Sequence, residues 1–545
     1  MKRMKWGEER GRITSPEEAI NARYELERAM LQGAGEWGMV IDGSFRGRWG
    51  RDQIEWVVAW GKLIVQWWGE EESQRLRVIW YAIGPDGIQL EGIWGLGQSP
   101  LRIELSRGGP REDLLLGEIG SQPLPFQRRW LAAQLPIALR EISPGCSLHR
   151  MATGPNRPLG IPGPYCRAVL QRPGETILAL ACGPWEDQLA IEGILTSALI
   201  WRERYRPSCT AKRPVRELWL IVPKERSTTL WERVAMLTLQ DFGCRFRCFE
   251  WEVGCHRIRP VEPVSQMSLF GRSPRDLEWP SLRFSSRPPA EHGWHARILS
   301  LAPERIQVRY RPGPDWMSYS IHGLEFARVP SGVPEAATFG VVGDPNRERA
   351  SLEKLSERTF PELCRLVETL LKVRGGTSRN RRHPFYRLRT EAWLESILHH
   401  RIVDLDPALD SQHVYSQIPA WRADERSVID LLTVRRSGAD AGRLVVIEIK
   451  ASEDPQLPLQ GLDYWLRVEQ ARRGGELVAR GLFRGVRLVD HPPILYLVAP
   501  RLRFHRSFAT VGRCLHPEIE AYRLGLNSDW RNGVRVHTID RLQDL

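Results

Sequence analysis

Val445-Val446-Ile447-Glu448-Ile449-Lys450 lies in the C-terminal part of the chain, and Asp430 precedes Glu448 by eighteen residues. Four β-branched residues surround one acid and one lysine, which predicts a strand. Strand side chains alternate faces, so Glu448 and Lys450 share one side while Ile447 and Ile449 take the other. Two charges on so apolar a strand are costly to bury without compensation. A salt pair between Glu448 and Lys450 is one form of compensation. A divalent cation held by Asp430 and Glu448, with Lys450 beside it, is the other.

Composition favours a special role for the lysine. Of the 78 basic side chains only eight are lysine, and beyond Leu371 the only lysines are Lys372 and Lys450. A compact ammonium and a planar guanidinium are not interchangeable at a crowded metal site. The net charge of +12 and pI near 9.4 point to an anionic partner, nucleic acid foremost. Arginine-rich solvated surface is the plain alternative. At 545 residues the chain exceeds one core, and roughly three or four domains are expected. No apolar run reaches the about 20 residues of a membrane span. The basic segment Met1–Arg12 lacks the apolar region of a secretory signal. Nine irregularly spaced cysteines fit reduced thiols in a cytoplasmic protein.

The order of patterns predicts a multidomain α+β chain. Residues 1–108 read as a helix over 16–32, capped by Ser15-Pro16-Glu17-Glu18, and then a Trp-rich antiparallel β domain. The tryptophans are core residues or stacking platforms for bases. Residues 109–256 alternate strands and helices (strand 176–182, helix 186–205, strand 217–223, helix 228–239, strand 245–253), as in an α/β layer. Residues 257–290, rich in Pro, Ser and Arg, read as a linker. Residues 291–345 read as a small β domain whose first strand is 294–300, residues 346–379 as a helical connector, and residues 380–545 as the final domain.

In that final domain Thr390–Leu398 predicts a helix carrying Glu391 and, one turn on, Glu395. Asp430 falls on one strand, and Glu448 with Lys450 on the next. The helix that follows carries Gln460 and Tyr464 on one face. In element order and residue types this resembles the PD-(D/E)XK nuclease superfamily, a restriction-endonuclease-like mixed sheet flanked by helices. Gln460-Gly461-Leu462-Asp463-Tyr464 matches the QxxxY helix of its RecB-like members. The resemblance covers residues 380–545, under a third of the chain. It implies a metal-dependent deoxyribonuclease active in repair, recombination or defence, using Mg²⁺ or Mn²⁺ and binding DNA. Asp430, Glu448 and Glu391 would be the metal ligands, with Glu395 the rival of Glu391. Lys450 would position or deprotonate the attacking water, or stabilise developing charge. Gln460 and Tyr464 would orient Lys450 or touch the DNA backbone. The iron–sulphur subset of this superfamily does not fit, because Cys364 and Cys514 stand alone there. No GxxxxGK[ST] loop exists, so any helicase or ATPase would be a separate partner. The other class of reading is a non-catalytic nucleic-acid-binding or scaffold protein with a nuclease-like fold.

An ungapped internal match sets Gly174–Cys182 over Gly442–Lys450 and continues with Leu189–Ile194 over Leu457–Leu462. It places Leu180 at Glu448 and Cys182 at Lys450, as in a degenerate copy of the final domain within residues 109–256. Two ordinary strand–helix units are the alternative. Weaker signals remain. Cys244, Cys248, Cys255 and His256 have irregular spacing for zinc and read as free thiols. Gly92–Gly97 reads as a turn. His399 and His400 read as a helix cap. Arg381, Arg382, His383, Arg501, Arg503 and Arg506 are candidate backbone contacts.

Overall fold

A computed structural model describes residues 10–31, 36–41, 44–68, 73–84, 87–93, 101–107, 119–143, 145–155, 160–205, 214–238, 244–252, 257–262, 264–270, 293–311, 315–342, 352–422, 425–438 and 440–545. Cys255, His256, residues 271–292 of the expected linker and Trp94–Gly97 lie outside them. The chain divides into two compact units, one of residues 1–191, 219–225 and 249–261, the other of residues 192–218, 226–248 and 262–545.

The first helix of the first unit is Pro16–Leu31. Glu18 N–H donates to Ser15 Oγ at 3.1 Å and Ser15 N–H donates to Glu18 Oε2 at 2.9 Å. This reciprocal pair satisfies two donors that the first turn leaves free, and Pro16 needs no partner there. Ala19, Ala22, Leu26 and Ala29 pack into a core shared with an eight-stranded antiparallel sheet between Arg10 and Arg107. Trp37, Trp56 and Trp67 are buried in that core, whereas Trp60 is 90 % exposed at a left-handed turn. The strands Glu36–Ile41 and Ser44–Gly50 escape sequence reading because glycine and arginine interrupt their alternation.

Two stretches share one element order. Residues 124–261 run helix (Leu124–Ile142), three strands (Ser147–Thr153, Cys166–Arg172, Glu175–Ala181), helix (Gln188–Tyr205), strand (Val215–Pro223), helix (Thr228–Ala235) and two strands (Arg245–Glu252, Arg257–Val261). Residues 390–541 run helix (Thr390–His400), three strands (Tyr415–Arg422, Glu425–Arg436, Ala441–Ile449), helix (Leu457–Arg473), strand (Ile494–Pro500), helix (Phe508–Gly512) and two strands (Ala521–Leu526, Val536–Arg541). In each, six strands lie side by side in sequence order. The second copy adds the helix Glu476–Ala479 and a two-residue strand, Arg487–Leu488. One backbone bond recurs at matched positions. Cys182 N–H donates to Ile221 O at 3.0 Å, and Lys450 N–H donates to Val498 O at 2.9 Å. The strand Arg257–Val261 closes the first sheet, so the segment expected to begin a linker at 257 starts as structure.

Residues 294–300 form a helix, where a strand was expected. His295 and Ile298, three apart, are its buried residues, and a strand would have set them on opposite faces. The small sheet that follows extends to Glu353–Lys354. It does not have a core of its own. Ile298, Tyr319, Phe326 and Phe339 join Leu363, Trp393, Ile447 and Val498 in one cluster, so the boundaries expected at 345 and 379 separate no cores. Gly323 makes the contact close: at φ +72° a Cβ would lie 2.1 Å from Ala392 O. Arg374 is fully buried and donates to the carbonyls of His322, Phe385 and Leu388.

The helix Leu457–Arg473 is buried along nearly its whole length, although Asp463, Arg467, Glu469 and Gln470 give it a polar face. Those groups are paired. Arg233 donates to both Asp463 oxygens, at 2.7 Å to Oδ2, and to Glu192 O at 2.7 Å. Arg467 donates to Glu232 at 2.7 Å and Gln470 to Leu269 O at 2.8 Å. Equivalent stretches of the two copies also bridge, Thr238 N–H to Cys514 O and His516 N–H to Met236 O. Among the described residues no helix is long and apolar enough to cross a membrane.

His322 sits at φ +46° with its ring 5.3 Å from Trp393. Burial first, then Arg374 and Arg305, push its pKa down from 6.5 to about 4. Above 6.5 both folded and unfolded chains are neutral there. As pH falls from 6.5 towards about 4 only the unfolded chain takes up the proton, so stability is lost across that window and levels off below it. His322→Asn tolerates the left-handed backbone and removes the titration. Its melting temperature should decline less steeply over that window than the wild type's; equal slopes would refute the assignment.

Candidate functional site

The expected acids and lysine meet at one end of the second sheet. The strands Glu425–Arg436 and Ala441–Ile449 pair Leu431 with Ile447, and the same register carried one residue further sets Asp430 opposite Glu448. Ile449 N–H donates to Asp430 Oδ2 at 2.8 Å. Lys450 Nζ donates to Glu448 Oε1 at 2.9 Å. Glu448 is 2 % exposed; its other oxygen, Oε2, is buried and meets no N–H or hydroxyl donor among the described residues, while its carboxyl lies within hydrogen-bonding reach of the Asp430 carboxyl. Glu391, in the first turn of its helix, accepts from Ala451 N–H at 3.4 Å, the residue after Lys450.

Glu395, one turn on, is engaged otherwise. It is buried, accepts from Arg309 Nη2 at 3.1 Å and from Gln417 Nε2 at 2.9 Å. Pairing between the strands Tyr415–Arg422 and Glu425–Arg436 skips Gln417, whose φ of +55° turns it out of the ladder. Arg309 also donates to Ser416 Oγ at 2.9 Å. Sequence reading missed these ties because Arg309 lies in the small sheet, 86 residues before Glu395.

The electrostatics follow from three acids around one lysine. Burial, then the charge of Glu448, holds the Asp430 carboxyl well above its ordinary pKa, with Lys450 opposing. Burial likewise raises Glu448 against the pull of Lys450. For Lys450 burial alone would favour the neutral amine, but Glu448, Asp430 and Glu391 outweigh it and raise the pKa. One ammonium does not neutralise this group, so the carboxylates draw in a proton or another cation. Among the described residues no three His, Cys, Asp or Glu side chains stand in a preassembled metal-holding group.

Gln460 and Tyr464 lie on the helix that covers the sheet. Gln460 Oε1 is buried without a hydrogen-bond partner among the described residues, and Tyr464 is buried. Among the described residues no hydrogen bond joins the Gln460 side chain to Asp430, Glu448 or Lys450. Gly461 lets the helix sit close, since a Cβ there would lie 2.5 Å from Leu497 Cδ2.

A cavity of about 600 Å³ opens beside Lys450 and Glu391, lined by Thr390, Ala451, Ser452, Arg503, Trp530 and Arg531 among others. Arg503 thus lines it, as one of the arginines singled out from sequence. Arg531 was not foreseen: its guanidinium lies 4.2 Å from the Trp530 ring centre and 4.7 Å from that of Tyr386. His383 and His400 serve as caps, accepting from Phe385 N–H and bonding Ser396 O respectively. Burial raises the thiol pKa values of Cys244, Cys248 and Cys514, so these cysteines are neutral and free.

No family model and no curated protein matches the sequence. A solved structure of EndoMS in its apo form is 14 % identical over 44 % of this chain and 97 % of that one, with a TM-score of 0.15. A superposition of that quality does not establish a shared fold.

Arg309→Ala leaves the buried Glu395 carboxylate with one fewer donor. It should lower unfolding free energy by about 1–3 kcal/mol in a denaturant titration; an unchanged midpoint would show that the pair is not structural.

Proposed function

We propose that the chain is a metal-dependent nuclease whose C-terminal sheet, restriction-endonuclease-like in kind, hydrolyses phosphodiester bonds of DNA. The observation that carries the proposal is Glu448: a carboxylate 2 % exposed, within hydrogen-bonding reach of a second acid, with one oxygen that meets no N–H or hydroxyl donor among the described residues. Such an oxygen is costly to leave bare, and a hard divalent cation takes oxygen ligands of this kind. Asp430 and Glu448 would hold Mg²⁺ or Mn²⁺, with Glu391 at its margin. Glu395 is the weaker candidate because Arg309 and Gln417 already engage it. Bound there, the ion supplies Lewis-acid polarisation of the phosphate.

The chain's own residues have separate tasks. Lys450 Nζ, 2.9 Å from Glu448 Oε1, would position the attacking water or offer positive charge to the phosphate. Its backbone N–H is fixed to Val498 O, which holds the ammonium at the strand end. Gln460, whose buried Oε1 has no hydrogen-bond partner among the described residues, would orient a neighbouring donor. Arg503 and Arg531, lining the adjacent cavity, would position the DNA backbone. Strand separation, if the substrate needs it, would come from a separate ATPase.

The competing reading, a non-catalytic DNA-binding scaffold, draws on the absence of a preassembled three-ligand group among the described residues. Incubation with linear duplex, circular and single-stranded DNA in Mg²⁺ or Mn²⁺ separates the two. The nuclease reading expects cleavage that falls by about a hundredfold or more in Glu448→Ala and in Lys450→Ala. Cleavage that survives both substitutions refutes the mechanism. Binding without cleavage of any substrate favours the scaffold.

A further inference from the structure

In the first copy the place of Asp430 is taken by an arginine. Arg167 pairs with Leu180 across the strands Cys166–Arg172 and Glu175–Ala181, as Asp430 stands opposite Glu448. With Cys182 at the position of Lys450, the set acid, acid, lysine becomes arginine, leucine, cysteine. Its formal charge goes from negative to positive on the same face of the same framework.

Arg167 is 5 % exposed. Among the described residues none gives its guanidinium an ion pair or a hydrogen bond, and none of its nitrogens is fully sealed from solvent. The charge that acts on it most is another cation, Arg150. Arg150 pairs with Val169, which sets it diagonally from Arg167 on the same side of the sheet, on an exposed stretch of strand. The neighbouring thiols supply no negative charge. Burial pushes Cys166 up to about 12 and raises Cys182 further, while Leu180 is fully buried. Two arginines side by side, one nearly buried and neither matched by an acid among the described residues, form a costly arrangement for the protein alone. An anion from outside removes that cost, and two guanidinium forks suit the tetrahedral oxygens of a phosphate.

We propose that Arg167 and Arg150 form an anion site for a backbone phosphate of nucleic acid, built where the second copy keeps its acids. The first copy then contributes to holding the nucleic acid without cutting it. The site goes beyond the nuclease reading and does not depend on cleavage in the second copy.

The test is equilibrium binding of a short labelled DNA duplex and of its single strand to the full chain, in EDTA so that no cleavage intervenes. Arg167→Leu should bind about tenfold more weakly, with a salt dependence shallower by about one ion. It should melt no lower than wild type, because an unpaired buried charge has been replaced by a side chain like its neighbour Leu180. The exposed Arg150→Ser should weaken binding in the same direction. Unchanged affinity in both variants overturns the proposal. So does a lower melting temperature of Arg167→Leu at wild-type affinity, which would make the arginine structural. If inorganic phosphate stabilises wild type but not Arg167→Leu while DNA affinity is unchanged, the site serves free anions and the nucleic-acid assignment fails.

Discussion

The site rests on strand register. Asp430 and Glu448 are forced together because Leu431 pairs with Ile447, and the apolar faces around them leave no freedom to slip. A shift of one residue would turn Ile447 and Ile449 out of the core and drive Glu448 and Lys450 into it. The cost of gathering three acids around one lysine is therefore set by the packing of valines, leucines and isoleucines in the sheet. Lys450 offsets part of that cost, and the remainder appears as the raised pKa values of Asp430 and Glu448.

The same framework occurs twice with the charge reversed. Both copies place a strand end beside the next strand through equivalent backbone bonds, from Cys182 to Ile221 and from Lys450 to Val498. One copy presents acids there and the other Arg167. The helix Leu457–Arg473 shows a further consequence. Its polar residues are buried because Arg233 and Glu232 meet Asp463 and Arg467. Removing either partner would strand a buried charge, so this helix is tied to Glu192 and to the helix Thr228–Ala235 as well as to its own sheet.

Much of this was legible in the sequence because the decisive signals are local. The strand holding Glu448 and Lys450, the helix of Gln460, and the match of Cys182 to Lys450 all follow from periodicity and spacing. The failures have physical causes. Residues 294–300 are short and apolar enough to pass for a strand. The strands Glu36–Ile41 and Ser44–Gly50 are interrupted by glycine and arginine. Residues 291–345 carry strand patterns but no mark that their core is shared with Trp393 and Ile447. Glu395 could be set apart from Glu391 only by Arg309 and Gln417, whose approach depends on the tertiary fold. The pairing of Asp463 and Arg467 leaves no local mark because their partners lie some 230 residues away.

The central claim is that Asp430 and Glu448 together hold a divalent cation, and it is tested most directly by metal binding without DNA. Mn²⁺ is titrated into the wild-type chain, Asp430→Asn and Glu448→Gln, followed by paramagnetic resonance of the free ion. The account expects saturable uptake by wild type that is lost or strongly weakened in both variants, with all three folded by circular dichroism. No uptake by wild type, or equal uptake by all three, would contradict it.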